Sequence, residues 1–252
     1  MPRYKAIVEY DGTGFVGWQR QENGPSVQAV VEQALFHFCG ERITVFAAGR
    51  TDSGVHALGQ VIHFDLERDY AADTVMGAIN YHARPARVSI RSVELAAPDF
   101  HARFQAVSRH YRYRVINRRA PLALDRGFAW HVAAPLDVNL MAEGAARLVG
   151  KHDFTSFRAA RCQALSPVKT LTRLEVSRYG DEVNVVAQAP SFLHNQVRIL
   201  VGALKLVGTG KWSPDDITAA LEARDRQRGA PTVPPHGLYL VQVDYPPDSH
   251  QS

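Results

Sequence analysis

Six segments in the first hundred residues follow the order strand, helix, strand, strand, helix, strand, and that order returns in the second half, which leaves few folds open to the chain. The first set reads as strands over 3–10, 43–48, 59–66 and 88–96, with helices over 26–39 and 73–83. The helix over 26–39 has the clearest signal. Val27, Val30, Val31, Ala34, Leu35 and Phe38 recur at three- and four-residue intervals behind Pro25 and a Ser26 cap, and Gly40 stops it. The second set reads as strand 109–117, a short extra strand over 128–132, helix 138–149, strands 170–178 and 182–189, helices 192–207 and 214–224, and strand 238–245. Tyr179-Gly180-Asp181 is a hairpin turn, and Ser213-Pro214-Asp215-Asp216 supplies a cap, a first-turn proline and early acids.

The expected fold is therefore α+β: two ferredoxin-like βαββαβ halves with mainly antiparallel sheets, helices on one side, and a central cleft where the sheets meet. The halves are placed at 1–105 and 106–246, with a disordered tail over 247–252. The loops over 159–169 and 229–236 are expected to be mobile. With 46% hydrophobic residues, 252 residues can fill a proper core. No apolar run approaches the roughly twenty residues of a membrane helix, and the first residues lead into a strand instead of a signal peptide, so a cytoplasmic location is expected. Cys39 and Cys162 are too few for a disulfide framework and lack metal spacing; they read as buried thiols.

The net charge of +4 says little until its distribution is considered. Nine arginines (84, 87, 91, 103, 109, 112, 114, 118 and 119) fall between Arg84 and Arg119 against two acids, Glu94 and Asp99, so the rest of the chain is slightly acidic. A cationic segment on an otherwise acidic chain suits a polyanion, and guanidinium groups bind phosphates bidentately and stack on bases, which favours RNA. A salt-laced outer sheet face has the same composition.

Gly49-Arg50-Thr51-Asp52-Ser53-Gly54-Val55-His56 lies between two apolar strands. It places one carboxylate, Asp52, on a turn held by rigid flanks, with Arg50 two residues away to attract a phosphate. An Asp beside Gly is also ordinary turn chemistry. Gly12-Thr13-Gly14-Phe15-Val16-Gly17 matches the dinucleotide pattern G-x-G-x-x-G, but Asn23-Gly24-Pro25 punctuates the chain before the helix starts, which excludes that use. Trp18, Gln19 and Arg20 beyond it are candidate ligand contacts. Arg109 to Val115 alternates, with Tyr111, Tyr113 and Val115 on one face and Arg112 and Arg114 on the other. Tyr111 offers a platform for an unstacked base. Phe192 to Leu200 opens an amphipathic helix with His194 and Arg198 one turn apart, and Gly202 admits a neighbouring backbone. His63 and Asp65 show no third ligand at metal spacing.

In order, Tyr10 to Gln19, Gly49 to Gln60, Tyr111-Arg112-Tyr113, Asp153-Phe154-Thr155-Ser156-Phe157, Phe192 to Gly202 and His236 to Leu240 resemble the TruA family of tRNA pseudouridine synthases over nearly the whole chain. The resemblance implies isomerisation of uridine to pseudouridine at positions 38, 39 and 40 of the tRNA anticodon stem-loop, by a homodimer using neither cofactor nor metal. It implies Asp52 as the catalytic nucleophile, Arg198 as its ion-pair partner, and Tyr111 and Arg50 as substrate contacts; His56 and Gln60 of the same block are further candidate substrate contacts, and Arg84, Arg109, Arg112 and Arg114 of the cationic segment are the candidate RNA-backbone contacts. Asn195-Gln196, where relatives often carry His-Met, is an example of a substitution inside these blocks. Two other readings stand beside it: a non-catalytic RNA-binding module, and a metal-dependent nuclease built on Asp52, Asp65 and Asp69.

Overall fold

The computed structural model describes residues 1–160 and 162–247. Its described residues divide into two compact units, residues 1–107 with 239–247, and residues from 108 to 238. The first contains β1 (Arg3–Tyr10), α1 (Val27–Cys39), β2 (Phe46–Ala47), β3 (His56–Asp65), α2 (Ala72–His82) and β4 (Val88–Ala96), the βαββαβ order read from the sequence. β1 lies between β4 and β3, antiparallel to both, and β2 adds to β3 antiparallel. Alternation of buried and exposed residues along β1 sends Tyr4, Ala6, Val8 and Tyr10 into the core, where Val27, Val31, Ala34 and Leu35 of α1 are also buried. Ser26 caps α1 by accepting from Ala29 N–H, and Gly40 ends it in the left-handed conformation. β2 is shorter than the strand expected over 43–48: only Phe46 and Ala47 pair with β3.

The second unit contains β5 (Ser108–Asn117), β6 (Trp130–Val132), α3 (Val138–Ala146), β7 (Gly150–Asp153), β8 (Val168–Leu171), β9 (Arg173–Tyr179), β10 (Glu182–Ala189), α4 (Gln196–Gly208) and α5 (Pro214–Ala223). β10 lies between β5 and β9, antiparallel to both; β6 runs parallel to β5, and β7 pairs with β8. The β9–β10 hairpin turns at Gly180, whose φ of 56° explains the glycine. At α5, Ser213 and Asp216 form the reciprocal capping box, with Pro214 opening the helix. The strand expected over 170–178 is two, β8 and β9, broken at Thr172, and β7 has no counterpart in the sequence reading, since GKHD is too short and polar to show a period.

The last strand, β11 (Leu238–Asp244), departs from the expected division. Its residues from Tyr239 group with the first unit, where Tyr239 and Leu240 run parallel to His56 and Ala57. Gly59 makes that possible, because a Cβ there would collide with Val241 O. The tail expected over 247–252 lies, from residue 248, outside the described residues. The cysteines are half-exposed, not buried: Cys39 is the final residue of α1, its thiol bonded to Leu35 O, and Cys162 is in a loop.

Candidate active site

Asp52 sits in the loop between β2 and β3, half-buried. Its own carbonyl accepts from Val55 N–H at 3.1 Å, closing a tight turn. Several attachments fix the loop. Thr51 Oγ1 and the Tyr10 hydroxyl are 2.7 Å apart; Gln60 Nε2 donates to Gly49 O at 2.7 Å; Trp18 N–H donates to Thr51 O at 3.1 Å. Phe15 O accepts from Ser53 Oγ at 3.1 Å and from Gly54 N–H at 3.4 Å. Burial pushes the Tyr10 phenol's pKa well up, against the opposing effect of its bond with Thr51, so Tyr10 acts as a neutral hydrogen-bonding strut.

The glycine motif of residues 12–17 has its explanation here. A Cβ on Gly12 would strike Val55 O, and one on Gly17 would lie 2.6 Å from Thr51 O with φ at +120°. Two glycines let the 11–18 loop lie backbone to backbone against the loop carrying Asp52. Trp18 is 3% exposed and packs 6.0 Å from Tyr10, so it braces this contact and offers no ligand surface; Arg20 is tied to Glu32 at 3.0 Å.

His56 and Gln60, expected to touch substrate, are 1% and 0% exposed. Their side chains are buried and support the neighbouring loops from within: Gln60 holds Gly49 O, and His56 meets the 11–18 loop. His56 stacks on Tyr239 at 4.8 Å, and its Nδ1 lies 3.0 Å from Gly12 N–H and 3.1 Å from Asp11 Oδ1. Asp11 Oδ2 meets Arg87 Nη1 at 2.7 Å. Arg50, by contrast, is exposed beside Asp52.

In the second unit, Arg198 lies half-buried in the first turn of α4. Its Nε donates to Val233 O and its Nη1 to Asn195 Oδ1, both at 2.8 Å, which fixes the plane of the guanidinium. α4 begins at Gln196, later than the expected 192, because Asn195 takes a left-handed φ of 60° and the buried Gln196 side chain turns back to accept from Leu193 N–H at 2.8 Å. Gly202 does admit a backbone: a Cβ would meet Pro231 O. The 229–236 stretch, expected to be mobile, is thus pinned by Gly202, by Arg198 through Val233, and by Tyr113, whose hydroxyl donates to Pro234 O at 2.8 Å.

Tyr111 is half-buried on β5, with its ring edge-to-face on Phe192 at 5.2 Å, while Tyr113 is wholly buried in the core. Of the arginines expected on RNA, Arg84 is exposed after α2, Arg109 donates to Pro190 O at 2.6 Å, and Arg112 is half-buried on β5. Arg114 differs: Glu182 and Asp125 clamp it at 2.9 and 3.1 Å, so its charge is neutralised locally. Arg87 and Arg118 also face carboxylates, Asp11 and Asp181, and the sequence count therefore overstated the open positive charge.

The nuclease reading fails on geometry. Arg3 holds Asp65 bidentately, both bonds at 2.7 Å, and Asp69 lies 3.3 Å from the Tyr4 hydroxyl; no cluster of three metal-ligating side chains occurs among the described residues. His63 sits between Phe46 and His101, and burial, reinforced by the neighbouring His101 and Arg3, lowers its pKa to about 4. It is a neutral core imidazole.

Comparison with known proteins is consistent in one direction. The family model described as tRNA pseudouridine synthase matches residues 6–105 and 145–246. A protein named tRNA pseudouridine synthase A from Paramagnetospirillum magneticum is 60% identical over 245 residues, covering 97% of this chain and 96% of that protein. One of the same name from Rhizobium leguminosarum bv. trifolii is 57% identical over 248 residues, covering 98% and 92%. A chain in the crystal structure of a Cbf5-Nop10-Gar1 complex aligns over 80% of this chain and 45% of its own, at 14% identity and a TM-score of 0.35, too weak a likeness to bear on the fold.

Proposed function

The chain belongs to the tRNA pseudouridine synthase family, and from that membership and the built loop around Asp52 we propose that it isomerises uridine to pseudouridine at positions 38, 39 and 40 of the tRNA anticodon stem-loop, in the cytoplasm and as a homodimer. The observation that carries the assignment of the catalytic group is the bracing of Asp52. A carboxylate on an ordinary surface turn has no need of a phenol, a buried amide and two glycine-permitted backbone contacts to hold its loop.

The reaction breaks the bond from ribose C1′ to N1 of uracil, turns the base, and joins C1′ to C5. A proton leaves C5 and one is gained at N1, so the formula is unchanged. Asp52 is the carboxylate that acts at C1′, as carboxylates do in glycosidic chemistry. It has to remain ionised in a site closed around a flipped base, where desolvation favours the neutral acid. Arg198 is the cation proposed to offset that cost; its guanidinium is already oriented by Val233 and Asn195. Tyr111 receives the displaced base on its ring, and Arg50 meets the adjoining phosphate. Flipping costs a few kcal/mol, and stacking worth ~1 to 3 kcal/mol per base, with phosphate contacts from Arg84, Arg109 and Arg112, offsets it.

The test is incubation of an unmodified tRNA transcript with the protein alone, followed by carbodiimide mapping. A new carbodiimide-retaining uridine isomer at 38–40 is expected, with the RNA intact. Binding without that isomer would leave the RNA-binding module as the correct reading.

A further inference from the structure

We infer that His56 is a positioning residue for the reaction: its Nδ1, acting as a fixed hydrogen-bond acceptor for Gly12 N–H, sets the height of the loop that carries Asp52. The inference rests on the proposed role of Asp52.

The geometry forms a closed circuit. His56 is the first residue of β3, directly after the Asp52 loop, yet its ring reaches back to the 11–18 loop and accepts from Gly12 N–H at 3.0 Å. Gly12 O accepts from Phe15 N–H at 3.1 Å, and Phe15 O accepts from Ser53 Oγ and Gly54 N–H, the two residues after Asp52. The circuit returns to His56 through Val55, the residue whose carbonyl Gly12 approaches too closely for any side chain. Moving the imidazole therefore moves Gly12, and moving Gly12 moves the turn at Asp52.

The acceptor role follows from the surrounding donors and acceptors. A single Nδ1 cannot both accept from Gly12 N–H and donate to Asp11 Oδ1. Asp11 already has its own donors: Thr13 N–H on Oδ1 at 2.9 Å and Arg87 on Oδ2 at 2.7 Å. Burial raises the Asp11 pKa, but the hydrogen bonds from Thr13 and Arg87, with a lesser contribution from the neighbouring His56, outweigh it and hold the carboxyl below its usual range; both Asp11 oxygens thus have donors other than Nδ1. The proton of the neutral ring then belongs on Nε2, and stacking on Tyr239 fixes the ring plane.

Buried at 1% exposure, His56 cannot meet the uridine, and its effect must appear in turnover and not in tRNA affinity. The test uses two polar replacements in the full-length protein. His56→Asn keeps an acceptor close to the position of Nδ1; His56→Gln carries it one methylene further out. A misplacement of about 1 Å is worth on the order of 100-fold in rate. His56→Gln is expected to lower kcat by roughly that factor with KM for tRNA unchanged within about twofold, and His56→Asn to stay within a few-fold of wild type. Wild-type kcat in a folded Gln variant, or loss of kcat in a folded Asn variant, overturns the inference. If either variant does not fold, nitrogen-15 spectra of the wild-type histidines decide it: a bare Nδ1 on His56 at neutral pH supports the role, and a protonated Nδ1 overturns it. Asp52→Asn in the same assay separates the two readings. A dead Asp52→Asn beside an unaffected His56→Gln removes the positioning role alone, whereas an active Asp52→Asn removes the reading on which it rests.

Discussion

At the scale of single residues, the site depends on positions where a side chain is absent as much as on those where one is present. Gly17 combines a φ of +120° with a backbone carbonyl 2.6 Å from where a Cβ would stand. Gly17→Ala is expected to cost ~1 to 3 kcal/mol of stability through backbone strain and to lower turnover with it; an unshifted melting temperature would show that the 11–18 loop relaxes freely. His63 makes a pH prediction with a definite sign. Unfolded, its imidazole titrates near ~6.5; folded, it titrates near about 4. The unfolded chain therefore binds the proton first, and stability falls as pH drops from the higher value to the lower, after which this contribution is flat. His63→Phe should remove that part of the acid dependence, which urea melts between pH 7 and 4 would show. The turn that carries Asp52 was legible in the sequence because glycines bracket it between strands. The support given by His56 was not, because its partner Gly12 is 44 residues away and only the folded chain brings them together.

At the scale of elements, the periodic segments were read well and the polar ones poorly. α1 and α5 announce themselves through caps and spacing, and the first-unit order β1-α1-β2-β3-α2-β4 follows from runs rich in Val, Ile and Phe set between helical patterns. The start of α4 was misread because the apolar residues Phe192 and Leu193 continue its stripe, while the left-handed Asn195 and the inward Gln196 exclude them from the helix. The same departure gives Arg198 its partner Asn195. Arg198→Ala is expected to reduce kcat far more than tRNA affinity, and Tyr111→Ala to reduce turnover with an intact fold. Single-turnover rates beside filter-binding constants check both, and wild-type rates in either variant would return that residue to a packing role.

At the scale of the whole molecule, the last strand was the main surprise. A linear reading assigns residues 238–245 to the half that precedes them, but Gly59 lets β11 lie against β3, and no local period reports a partner so distant in sequence. Charge was likewise legible in number and not in state, since Arg87, Arg114 and Arg118 turn out to face carboxylates. If Arg84, Arg109 and Arg112 each neutralise one phosphate, affinity for tRNA should weaken roughly fortyfold between ~50 and ~200 mM monovalent salt; a flat titration would deny them that role. The central claim, that one braced carboxylate performs the isomerisation, is tested most directly by comparing wild-type protein with Asp52→Asn in formation of pseudouridine on a tRNA transcript, with binding measured alongside. The account requires that turnover disappear while affinity stays within a few-fold of wild type; an Asn variant that still makes pseudouridine would contradict it.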